Sequence, residues 1–401
     1  MPRQSDRYAT LSETAKLVAQ FYGVVYPHDP ARSRVVKWLG QLGYRVGNRR
    51  ITGAEVKMAL VQLAKSGIVL RGGDRGSGPR AHPSWTLPLT IAANRAGHLD
   101  AMVSEFNSDS YAYSWGMQPS QKIMLLRCHV VAGRHEEIHE LGNLPVEAWR
   151  FLSHPEAAPL LRALPETHVE VALLSCLLYC IDTAAPPEQL IALCGELAPE
   201  RVSLAIQIAF LRILQGRFDD AVTGLDDLPE QVRTSKPVEV SRAATLALIA
   251  TLRGKDRDAS EHITSALVAE KKGTRKRNVF PNSMPFALAL LSLVRIGTAD
   301  ARAELDRLLK TSEQQQILPE MTRYARVAAT IQHDSHADVS GLWPIGATLI
   351  TFLRGLSCCW VDEALFLEIP DARECLHQFV TRAAANGYQW LAAEGVEILY
   401  R

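Results

Sequence analysis

One pattern recurs through most of this chain: an apolar stretch at helical spacing, a glycine with a polar residue behind it, then acidic residues opening a second apolar stretch. It reads IAANRAGHLDAMVSEF around Gly97, LLRCHVVAGRHEEIHEL around Gly133 and IAFLRILQGRFDDAVTGL around Gly216. Further copies, LALIATLRGKDRDASEHI and LALLSLVRIGTADARAEL, centre on Gly254 and Gly297. Successive glycines lie 36, 83, 38 and 43 residues apart, and the long interval predicts a degenerate copy over residues 170–197. A recurrence of this length marks stacked helical hairpins, each too small to bury its own apolar face. The chemistry agrees. Glycine accepts the left-handed backbone that stops the first helix. Asp or Glu behind it complements the positive end of the second helix dipole. Small residues such as Ala221 and Ala259 let the two helices approach closely.

Composition points the same way: 47% hydrophobic residues, 22% charged and only 7% aromatic favour a folded, mainly α chain over a sandwich or barrel. In the copy at Gly216, the residues Ala209, Gly216, Phe218 and Ala221 match the tetratricopeptide pattern, and in the copy at Gly254, Ala247, Ala259 and Ala266 do so. Ile138 and Arg302 stand where that pattern has Ala, and the period is longer than the family's. Residues 89–401 therefore resemble a tetratricopeptide-like α-solenoid, close to those of bacterial signal-responsive regulators. The resemblance implies a curved body whose concave face takes a protein partner.

The first 88 residues read differently. A helix is expected from about Leu11 to Tyr22 behind a Thr10 or Ser12 cap. A second follows PHDPARS and ends at Gly43, and a third, in ITGAEVKMALVQLAKSG, runs from a Thr52 cap to a Gly67 stop. The period then changes: Ile68-Val69-Leu70 reads as a strand, RGGDRGSGPR as a hairpin tip and Ser84-Trp85-Thr86-Leu87 as the return strand. With EVKMALVQLAKSGIVL as recognition helix and first wing strand, residues 1–88 resemble a winged helix-turn-helix domain.

Charge singles out the same region. Residues 1–88 hold 14 Lys and Arg against 5 Asp and Glu, whereas the remaining residues hold 30 against 38. A basic head on an acidic body points to a polyanion met by the head. The winged-helix resemblance implies duplex DNA as that partner, contacted by Arg49, Arg50, Lys57 and Lys65 on or beside the third helix and by Arg71, Arg75 and Arg80 on the wing. No Asn, Gln or Arg cluster predicts base reading. A winged helix used purely for protein docking or dimerisation is the alternative. The basic run Lys271 to Arg277 reads as a solvated loop, with a second polyanion contact as its sharper reading.

His135-Glu136-Glu137-Ile138-His139 matches the zinc-hydrolase pattern H-E-x-x-H, in which two imidazoles one α-turn apart hold the metal. It aligns with Phe218-Asp219-Asp220-Ala221-Val222 of another copy, so repeat geometry already accounts for its acidic pair, and zinc chemistry is the remote alternative. His333 and His336 lie in a polar connection. No phosphate loop or nucleophile elbow is present, and the expectation is a chain without catalysis, metal or cofactor. The seven cysteines, Cys128, Cys176, Cys180, Cys194, Cys358, Cys359 and Cys375, read as buried reduced thiols. No apolar run is long enough to span a bilayer and no signal-peptide stretch opens the chain, so a cytoplasmic address without membrane contact is expected. The chain closes inside an amphipathic helix, NGYQWLAAEGVEILYR. Winged helix plus helical repeats, closing near GYQWLAAE, looks like the N-terminal region of large bacterial Swi/Snf-type helicase proteins. That likeness implies an accessory region of a longer chain.

Overall fold

A computed structural model describes residues 4–70, 78–108, 117–318 and 372–400, together with Thr322, Ala325, Arg326 and Ala329. The protein is mainly helical with few strands. It forms two compact units, Met1–Cys176 and Leu177–Arg401. None of the described helices is long and apolar enough to cross a membrane.

The first unit is built around one buried helix. After α1 (Gln4–Ala9), α2 spans Glu13–Val25, and its Ser12 cap accepts a hydrogen bond from the Ala15 amide. Val18, Ala19, Phe21, Tyr22, Val24 and Val25 are all buried, so α2 is apolar almost all round and sits inside the unit. Helices α4 (Gly53–Lys65) and α5 (Thr86–Arg95) pack against it, and α3 (Arg32–Gln41) packs on α4 and sets its Trp38 ring 5.0 Å from Phe21. Two small antiparallel hairpins interrupt them. One pairs β1 (Arg45–Val46) with β2 (Arg49–Arg50), and the other pairs β3 (Val69–Leu70) with β4 (Arg80–Ala81). The first hairpin has no counterpart in the sequence reading.

The expected return strand Ser84–Leu87 is helical. Pro83–Trp85 forms a 3-10 turn that runs straight into α5. Pro83 presets the first helical φ, and the His82 ring accepts a hydrogen bond from the Ser84 amide. The return strand is instead Arg80–Ala81, directly ahead of that turn. Helix α5 lies across α2 at near-backbone contact: a Cβ at Gly23 would stand 2.3 Å from the Leu89 Cβ. The unit continues with α6 (Leu99–Ser108) and α7 (Pro119–Ala132). Next come 3-10 segments at Glu136–Leu141, Val146–Ser153 and Pro155–Ala157, then α8 (Ala158–Ala163). Helix α9 (Glu166–Thr183) runs across the boundary.

The second unit is a series of helix pairs. After α10 (Glu188–Leu197), α11 (Val202–Leu214) turns at Gly216 into α12 (Phe218–Asp226). The short α13 (Glu230–Arg233) leads to α14 (Lys236–Leu252), which turns at Gly254 into α15 (Asp256–Lys271). Then α16 (Met284–Ala289) and α17 (Leu291–Ile296) turn at Gly297 into α18 (Ala299–Gln315). Each pair packs internally, and α14 also meets α11, α12 and α16. Ion pairs stitch successive pairs together: Arg242 with Asp226 at 2.5 Å and Arg295 with Asp256 at 2.5 Å. A last pair, α19 (Ala372–Ala385) and α20 (Gln389–Tyr400), docks on the start of the same unit. There the Tyr388 hydroxyl donates to the Ala185 carbonyl at 2.7 Å, and the Asn386 amide to that of Ala184 at 2.8 Å.

Four of the cysteines, Cys128, Cys176, Cys180 and Cys194, are free and buried, whereas Cys375 is half-buried. Burial pushes the Cys128 thiol up to about 11 and those of Cys180 and Cys194 up to about 12, so they stay protonated. Cys358 and Cys359 lie outside the described residues.

Candidate nucleic-acid interface

Helix α4 starts with its own clamp. Glu55 reaches back so that the Thr52 amide and hydroxyl donate to its carboxylate at 2.8 and 3.0 Å. The backbone bond from Thr52, more than the facing Arg49 charge, holds this carboxyl below its usual range. Val56, Ala59 and Leu63 turn inward. Ala54, Lys57, Met58, Val61 and Lys65 form the opposite, exposed face, a stripe with lysines towards both ends and apolar side chains between.

The expected contact residues divide into those α4 organises and those it does not. Arg49, on β2, bonds Glu55 at 2.9 Å and so is tied to the first turn of α4. Arg50 is exposed beside it, and among the described residues Arg50, Lys57 and Lys65 enter no ion pair. Arg80 is exposed on β4 opposite Leu70. Its hairpin is anchored where the Gly78 amide donates to the Asp29 carboxylate at 3.0 Å, too close for any side chain at residue 78. Arg71 and Arg75 lie outside the described residues.

Two features of this surface escaped the sequence. Arg32, exposed at the start of α3, places its Nε 3.8 Å from the position of a Cβ on Gly53, which brings another guanidinium to the first turn of α4. Only tertiary packing of α3 on α4 creates that proximity. Met58 is 66% exposed and Val61 40% exposed, although helical spacing groups both with hydrophobic residues.

The HEEIH motif does not lie on an α-helix. Residues Glu136–Leu141 are a 3-10 helix, with Ile138 and Leu141 buried. The zinc pattern needs its two imidazoles one α-turn apart, and this segment is wound three residues to the turn instead. The Glu137 carboxylate lies 2.9 Å from the His129 Nδ1. The His139 ring lies tilted against His168 at 4.8 Å, and His168 against Trp149 at 5.5 Å. Burial, and then the neighbouring histidines, lower the pKa of His168. Among the described residues no group of three or more His, Cys, Asp or Glu is placed to hold a metal. His333 and His336 lie outside those residues.

No model of a known protein family, no curated protein and no solved structure matches this chain.

Proposed function

We propose that this chain is a non-catalytic, DNA-associated regulatory or scaffold protein. In this reading the head is a winged helix that contacts duplex DNA through α4 and the hairpin behind it. The helical pairs of the body form a tetratricopeptide-like solenoid that binds a protein partner. The likeness to helicase N-terminal regions extends the reading to an accessory role in a larger helicase-type protein.

The exposed face of α4 carries the proposal. Lys57 and Lys65 are eight residues apart, about 12 Å along the helix axis. Both lie on the exposed face, so a helix seated in the major groove can bring each long ammonium side chain to a backbone phosphate. Arg32, Arg49 and Arg50 extend the positive surface at the first turn, and Arg80 extends it on the second hairpin.

Fluorescence anisotropy of a labelled duplex, titrated with the full chain at several salt concentrations, tests this. Affinity is expected to fall steeply with salt, and each phosphate contact removed by Arg50→Ala, Lys57→Ala or Lys65→Ala should reduce the log–log slope by about 0.9. No binding at low salt rejects the DNA reading. The second reading, a protein-docking head, is favoured by Met58 and Val61 in the middle of the same face, because exposed apolar side chains gain most from a partner that excludes water. It predicts no DNA binding, together with loss of a protein partner on Met58→Glu.

A further inference from the structure

On the side of α2 that faces α1 and α5, the first unit has an open cleft of about 520 Å³, within the ~300–1,000 Å³ range of small-molecule sites. Trp85, Pro88, Leu89, Ile91 and Ala92 give it an apolar wall. A polar line runs along the other side. The buried Gln20 amide donates to the Tyr8 hydroxyl at 2.9 Å, while its carbonyl oxygen meets the His98 ring at 3.2 Å. With Tyr8 already accepting from Gln20, the phenolic proton is left to donate elsewhere. Burial raises the Tyr8 pKa, so that proton is retained at neutral pH. Two cations reach the cleft. Lys16 is bonded to Glu13 at 2.8 Å, whereas Arg95 enters no ion pair among the described residues. Among the lining residues Glu156 is the carboxylate.

We infer that this cleft binds a small monocarboxylate with an apolar body, its carboxylate held by Arg95 and Lys16 with the Tyr8 hydroxyl, its body against Ile91, Pro88 and Ala92. A planar guanidinium without a protein partner is suited to forked recognition of a carboxylate. The apolar wall rewards burial of an aliphatic or aromatic body. Glu156 limits the negative charge the cleft tolerates and so disfavours dianions. The site stands independently of DNA binding.

Saturation-transfer NMR and calorimetry on the full chain, with hexanoate, phenylacetate and indole-3-acetate as probes, test the inference. Phenylacetamide and phenethylamine serve as neutral and cationic counterparts. The carboxylates should bind, the amide and amine at least about tenfold more weakly, a difference of about 1.4 kcal/mol. Arg95→Gln, an exposed position whose change leaves the helical circular dichroism intact, should weaken the carboxylates to the level of the amide. Glu156→Gln should tighten them, and Ala92→Trp, which fills the cleft, should abolish binding. Absence of binding by all three carboxylates, equal binding of the amide, or unchanged binding in Ala92→Trp overturns the assignment.

Discussion

Arg127 is fully buried, yet among the described residues it hydrogen-bonds no carboxylate. Its guanidinium donates to the carbonyls of Gly23, Val24 and Tyr26 at 3.0, 2.9 and 2.7 Å and to the Thr90 hydroxyl at 3.2 Å. These carbonyls end α2, where backbone acceptors run out of intrahelical donors and the helix dipole is negative. One side chain on α7 thereby satisfies the end of α2 and holds α5. Replacing it with Leu strands the buried carbonyls of Gly23 and Val24 and the half-buried one of Tyr26, and the expected cost is about 3 kcal/mol or more. Hydrogen exchange on the amides of α2, followed in the full chain, should accelerate accordingly. Arg127→Lys should recover only part of the protection, because a single ammonium lacks the planar fork. Wild-type protection in Arg127→Leu would show that other contacts hold this helix end.

At the scale of elements, the helix turns were the most legible part of the sequence. Gly216, Gly254 and Gly297 all stop a helix in the left-handed region, with φ of 79°, 70° and 64°. At Gly254 a Cβ would meet nothing within 4 Å, so Gly254→Ala isolates the backbone term. It should cost roughly 1–2 kcal/mol, read as a lower thermal midpoint of the second unit; an unchanged midpoint would mean the turn relaxes. The α4 start was equally legible, because Thr52 and Glu55 carry their instruction locally. Ser84–Leu87 was misread because apolar residues after a Gly-rich turn resemble a strand, although Pro83 already marked a helix start. The HEEIH spacing alone suits an α-turn, whereas Glu136–Leu141 winds as a 3-10 helix with Ile138 and Leu141 buried. A similar departure shows at Arg302, which occupies the position of a packing Ala in the repeat. In α18 it is Ala301 that is buried, 9% exposed, so that helix docks in a different rotation. The proximity of Arg32 to α4 has no local signal at all.

Across the whole second unit, the last pair of helices supplies contacts that no local pattern announces. Tyr388 is completely buried. Its ring fills the site whose rim is the backbone of Cys180 and Ala185, and the Trp390 Cβ lies 3.6 Å from the position of a Cβ on Gly216. Tyr388→Ala should destabilise the second unit by about 3–5 kcal/mol, and Tyr388→Phe, which removes only the hydroxyl, by about 1 kcal/mol. Urea unfolding followed by circular dichroism distinguishes them. Equal effects would place the energy in the hydrogen bond instead of the ring.

The Tyr388 hydroxyl and its Ala185 acceptor are 203 residues apart in sequence. During synthesis the chain emerges from its N-terminal end at ~5–20 residues per second. Ala184 and Ala185 therefore leave the ribosome some tens of seconds at the slow rate, or about ten at the fast one, before their cover exists. Throughout that interval the opening helices of the second unit carry an uncovered seat, and a chain cut short before Tyr388 never fills it.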